Sequence, residues 1–107
     1  MTRSKDISRY FSNWQKEVDG TTLYLALSEI EKKPTLAEVY RRMAGSEEKH
    51  TAFWEKRLVD AGVKLPKRRP SWRARTLRSL ASRFGTNFIL PTLTSGEQAT
   101  SNEYDSQ

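Results

Sequence analysis

A chain of 107 residues with 36% apolar and 30% charged content is one domain at most, with little material for a core of its own. The absence of cysteine excludes disulfides, thiolate metal sites, iron–sulfur clusters and thiol nucleophiles, so any bound metal must use oxygen and imidazole nitrogen. The net charge of +6 is local: positions 61–96 hold eight Lys/Arg and no acid, while the remainder holds eleven bases against thirteen acids.

Residues 1–7 read as a polar start, and 8–33 as a long helix with Ser8 or Asp6 as N-cap. Its seam runs Tyr10, Trp14, Glu17, Thr21, Tyr24 and Ser28, with Phe11, Val18 and Leu25 alongside. Gly20 lowers helix propensity by about 1 kcal/mol and reads as room for a close neighbour. Pro34 ends this helix, and Thr35 with Glu38 three residues on forms the pattern of a capping box. A second helix then covers 35–61, with Gly62 as its C′ residue. Two helices of about 25 residues, each near 37 Å, joined by a short Lys-Pro connection predict an antiparallel hairpin of the size found in four-helix bundles.

Residues 64–70 form a stiff basic linker, and Ser71 caps a third helix over 71–90 that Pro91 ends. That helix places Leu77, Leu80, Ala81 and Phe84 on one face, with Arg73, Arg75, Arg78 and Arg83 around it. A polar tail occupies 92–107. No run of 18 apolar residues is present, so no membrane span is expected, and the first 25 residues do not resemble a secretory or transit signal.

The chemistry concentrates in Glu47-Glu48-Lys49-His50. Leu36, Val39, Met43, Glu47, His50, Trp54 and Leu58 follow one another at three- and four-residue steps, so Glu47 and His50 stand where a core helix would carry leucine. A buried carboxylate is costly unless it is paired or ligates a metal. An isolated Glu-x-x-His is a weak signal, and Glu48 and Glu55 read as salt-bridging residues pairing one turn away. His50 alone is compatible with a core histidine satisfied by Tyr10 or Tyr40, and Tyr24 and Tyr40 read as core. The joint placement of Glu17, Glu47 and His50 on the seams of adjacent helices favours a cation. Di-metal carboxylate centres draw one Glu from each of two helices and Glu-x-x-His from each of two others.

The segments Trp14–Tyr24, Pro34–Tyr40 and Glu47–Trp54 resemble the erythrin (rubrerythrin-like) ferritin-like domain, in the version found at the N-terminus of vacuolar-iron-transporter-type membrane-bound ferritins. The resemblance covers roughly 8–107 and is most specific at Glu17 and Glu47-x-x-His50. It implies an all-α ferritin-like fold and a di-iron site with Glu17, Glu47 and His50 as ligands. Glu97 is matched to the third-helix ligand, with Glu103 as competitor. Iron is the implied metal, with manganese or zinc as alternatives, and ferroxidase chemistry would follow from paired Fe(II). The resemblance further implies a cytoplasmic location at the inner face of a membrane, beside a transporter domain that exports iron or manganese.

A family member carries a second Glu-x-x-His. The 30-residue step from Glu17 to Glu47, applied to Glu97, puts it near position 127, beyond Gln107. The expectation is therefore a partial domain that completes its bundle by homodimerisation or segment swapping, two copies supplying two Glu17 and two Glu47/His50 sets. The basic segment is read first as a solvated face, then as an anionic-membrane contact through Arg73, Arg75, Arg78 and Arg83, with no nucleic acid expected. The alternative function is a non-catalytic helical module docking through that segment on membrane or nucleic acid.

Overall fold

A computed structural model describes residues 4–86, and within them all the regular structure is helical. Three helices follow in chain order: α1 (Ser4–Ile30), α2 (Pro34–Asp60) and α3 (Trp72–Phe84). The first two form the antiparallel hairpin, and α3 packs on α1. The tail from 87 onward, with Glu97 and Glu103, lies outside the described residues.

The helix ends show where local chemistry decides. Ser8 and Asp6 lie inside α1 rather than capping it, and Asp6 sits in the first turn, where a negative charge suits the helix dipole. Pro34 starts α2 instead of stopping α1, because a proline at the first helical position gives up only an N–H that has no intrahelical partner. The N-cap is therefore Lys33, without a side-chain cap, and the Thr35–Glu38 capping box does not form. Glu38 instead accepts from Arg41 Nε at 3.0 Å, with Arg42 Nε 3.5 Å from its other oxygen. The hydrogen bond from Arg41 holds the Glu38 carboxyl below its ordinary range. At the far end, Gly62 takes φ 84° and Val63 N–H bonds to Leu58 O at 3.0 Å, the six-to-one bond of a Schellman ending. Ser71 caps α3 through Ala74 N–H at 3.2 Å. That helix closes at Gly85, before the expected end.

Two apolar clusters hold the hairpin. Leu23, Tyr24, Leu27, Tyr40 and Ala44 form one, with Ile30, Leu36, Met43 and Leu77 packed against it. Burial pushes the Tyr40 phenol above its ordinary value, consistent with its core role. Trp14, Val18, Trp54 and Leu58 form the other, covered by Ile7, Tyr10, Phe11 and the linker residues Val63 and Leu65. The buried seam of α2 is Ala37, Tyr40, Ala44, Glu47, Thr51, Trp54 and Leu58. It is rotated from the expected seam, so that Val39 is 46% exposed and Met43 is only half-buried. Alanines explain the shift: Ala37 and Ala44 let the helices approach, while the longer side chains flank the contact. On α3 the inward residues are Ala74, Leu77 and Ala81, and Phe84 is exposed. Small residues set that contact too.

The basic linker is tied down by acids that periodicity assigned to local pairing. Arg68 makes two 2.7 Å hydrogen bonds to the Glu55 carboxylate and one of 3.4 Å to Glu48, and Trp14 Nε1 donates to Glu55 at 3.1 Å. The partner of Glu55 is thus thirteen residues away in sequence, not one helical turn. Asp19 receives Ser71 N–H at 2.8 Å, Ser71 Oγ at 2.6 Å and Gln15 Nε2 at 2.9 Å, which anchors the start of α3 to α1.

The Arg68 hydrogen bonds depress the Glu55 pKa, with Trp14 adding to the effect against burial. A depressed carboxylate stabilises the fold above its unfolded pKa of about 4.3 and loses that contribution as pH falls through the folded value. Urea melts should therefore show Glu55→Gln destabilised by about 1 kcal/mol at pH 7, with the gap to the parent protein closing below about pH 4.

Candidate metal centre

Glu17 and Glu47 face each other midway along the hairpin, with 2% and 9% of their surfaces exposed. His50, one turn beyond Glu47, brings Nδ1 to 3.4 Å from Glu17 Oε2. Ligand-capable atoms of Glu17, Glu47 and His50 lie within 4.8 Å of one another, the sole such triad of acids and histidine among the described residues. The three predicted residues thus converge. His50 is half exposed rather than standing in the core seam, because it lies on the flank of α2 that carries Val39 and Phe53. The centre has a buried carboxylate floor and an imidazole at its open rim.

Gly20 makes this floor. A Cβ built on it would lie 2.7 Å from Glu47 Oε2 and 3.3 Å from Cδ, so the missing side chain is the space that the carboxylate occupies. The expected close neighbour of Gly20 is a metal-ligand candidate. Thr21 Oγ1 donates to Glu17 O and Thr51 Oγ1 to Glu47 O, each at 2.9 Å. Each acid therefore has a threonine one turn later whose hydroxyl donates to that acid's own helix carbonyl. The buried residues that periodicity overlooked here are Asn13 and Thr51, at 0% and 1% exposure. Both are polar residues at core spacing, the same signal that revealed Glu17 and Glu47.

Two unit negative charges about 4.8 Å apart repel by about 3 kcal/mol at an effective dielectric of about 20. A divalent cation between them converts that repulsion into attraction on both sides. Carboxylate oxygen with imidazole nitrogen suits iron, manganese or zinc, and the small cradle opposite Gly20 leaves no room for a bulkier group on that side. The donor set fits a first-row divalent ion. Glu97 lies outside the described residues. Arg73, Arg75, Arg78 and Arg83 are all exposed on α3 and are not part of this triad.

A helical hairpin with inward Glu and Glu-x-x-His belongs to the ferritin-like class of all-α carboxylate proteins. The chain is a member of the rubrerythrin family, whose sequence profile matches residues 12–83 and so takes in Glu17, Glu47 and His50. Domains of that family typically bind iron. Neither a curated protein nor a solved structure matches the chain significantly.

The Gly20 cradle separates stability from binding. Gly20→Ala gains up to about 1 kcal/mol of helix propensity, and the atom it crowds is the movable end of a side chain. Metal-free Gly20→Ala should melt at or above the parent temperature, while Fe(II) or Co(II) affinity measured by titration falls at least about tenfold.

Proposed function

We propose that this chain is the metal-binding part of a di-iron carboxylate protein, with Glu17, Glu47 and His50 as ligands contributed by one hairpin. The observation that carries the reading is a pair of carboxylates, almost fully buried, facing one another with an imidazole at the rim. Iron bound there supplies redox chemistry of the ferroxidase kind. The chain's own residues hold the ion, enclose its buried side and leave the His50 side open to dioxygen or to a delivering partner.

One hairpin offers one Glu from α1 and one Glu-x-x-His from α2, half of the four-helix pattern. A second copy related by a two-fold axis would supply the other half with the same residues. The exposed flank of α2 supports this face as the contact. Val39 and Phe53 lie 46% and 49% exposed on the side of the helix that carries His50. Anaerobic Fe(II) titration should give one iron per chain in a particle of dimer mass by sedimentation, and Glu47→Ala or His50→Ala should each abolish stoichiometric uptake. Retained stoichiometry in both variants would remove the site. A monomeric, iron-loaded parent protein would remove the shared centre alone.

The finer reading places the domain at the cytoplasmic face of a membrane, feeding or sensing for a transporter of iron or manganese. No described helix is long and apolar enough to cross a bilayer. What supports it is α3. Trp72 is 73% exposed and shares an outer face of the helix with Arg75 and Arg83, and Phe84 near its end is 64% exposed. An exposed indole beside arginines on one face suits an anionic headgroup layer, each arginine contributing about 1 kcal/mol near the surface. The protein should co-sediment with vesicles containing about a third anionic lipid, and Arg75→Glu with Arg83→Glu should weaken this more than about tenfold while leaving iron uptake intact.

A further inference from the structure

Asn13 is 0% exposed, and neither its Oδ1 nor its Nδ2 has a hydrogen-bond partner among the described residues. An unmade buried polar group is destabilising, and leucine, with the same number of side-chain heavy atoms, carries no polar group to leave unsatisfied. The position is informative. Asn13, Glu17 and Gly20 follow at steps of four and three, so they share one face of α1, and Gly20 fixes that face as the one turned to the Glu47 carboxylate. Nearby polar groups are committed elsewhere: the Trp14 indole donates to Glu55, and the Thr51 hydroxyl to Glu47 O.

A primary amide offers two N–H donors and a carbonyl acceptor at a single site. Carboxylate oxygens accept only, and a water held by a cation donates. We propose that Asn13 is a positioning residue of the metal centre: with the cation in place, its Nδ2 donates to the Glu17 carboxylate and its Oδ1 accepts from a water of the cation's hydration shell. This rests on the metal-binding reading of Glu17, Glu47 and His50. Asn13 sets which Glu17 oxygen faces the ion and keeps the buried end of the site wet. Its unsatisfied state without metal is the cost of a centre prepared for loading.

The test compares Asn13→Leu and Asn13→Ala with the parent protein, using Co(II) as the probe, with visible d–d absorption and thermal melting as readouts. Metal-free Asn13→Leu should melt at or above the parent temperature, because a buried unsatisfied amide has been replaced by hydrocarbon. Its Co(II) affinity should nevertheless fall about 10- to 100-fold, as for loss of a group that orients a ligand. Its Co(II) bands should also shift. Asn13→Ala serves where leucine prevents folding, and should show the same loss of affinity and the same spectral change. A purely structural asparagine would give the reverse pattern, with parent-like affinity and bands in whichever variants fold, and that result overturns the proposal while leaving the site standing. Failure of the parent protein to bind Co(II) overturns both.

Discussion

Two carboxylates held face to face inside a helix–helix contact are the constraint to which the rest of this hairpin is fitted. Their mutual repulsion and desolvation oppose folding, and the apolar clusters to either side must outweigh both. Tyr24, Leu27 and Tyr40 pack on one side, and Trp14, Trp54 and Leu58 on the other. The buried polar residues among them, Asn13, Glu17, Glu47 and Thr51, sit where a helical pair built for stability alone would continue the leucines. Departures of this kind are expected where stability is given up for binding.

The surroundings shape the space which these polar residues occupy. Gly20 removes one side chain so that the Glu47 carboxylate fits between the helices. The linker crosses back and is pinned by Arg68 to Glu55, which the Trp14 indole also holds. Asp19 then fixes Ser71 and with it the start of α3. A rigid frame on one side leaves the His50 flank as the open side of the centre, and binding to a cation or a second hairpin would act there. Charge is divided in the same way, with acids in the hairpin core and arginines on the outer face of α3.

Much of this was legible because helical periodicity is a local property. The hairpin, Gly62 at the end of α2, Ser71 at the start of α3, the role of Gly20 and the joint placement of Glu17 with Glu47-x-x-His50 all follow from spacing. The misreadings share one cause. Three- and four-residue spacing defines a stripe but not which of two neighbouring stripes is buried. On α2 the seam through Val39, Met43 and His50 and the seam through Tyr40, Ala44 and Thr51 are both regular. The second is inside because alanines permit close approach. The Thr35–Glu38 box failed because Pro34 takes the first helical position and leaves Lys33 as the N-cap, and Glu38 pairs with Arg41 and Arg42 instead.

The amino-acid order by itself determined the helices, their antiparallel pairing and the residue types able to hold a cation, since each depends on neighbours within a turn or two. Only the tertiary structure decided the depth of each group, with Glu17 and Glu47 enclosed, His50 at the rim and Asn13 buried with no side-chain partner among the described residues. Burial depends on the rotation of one helix against another, and that rotation is set by the summed packing of side chains far apart in the chain.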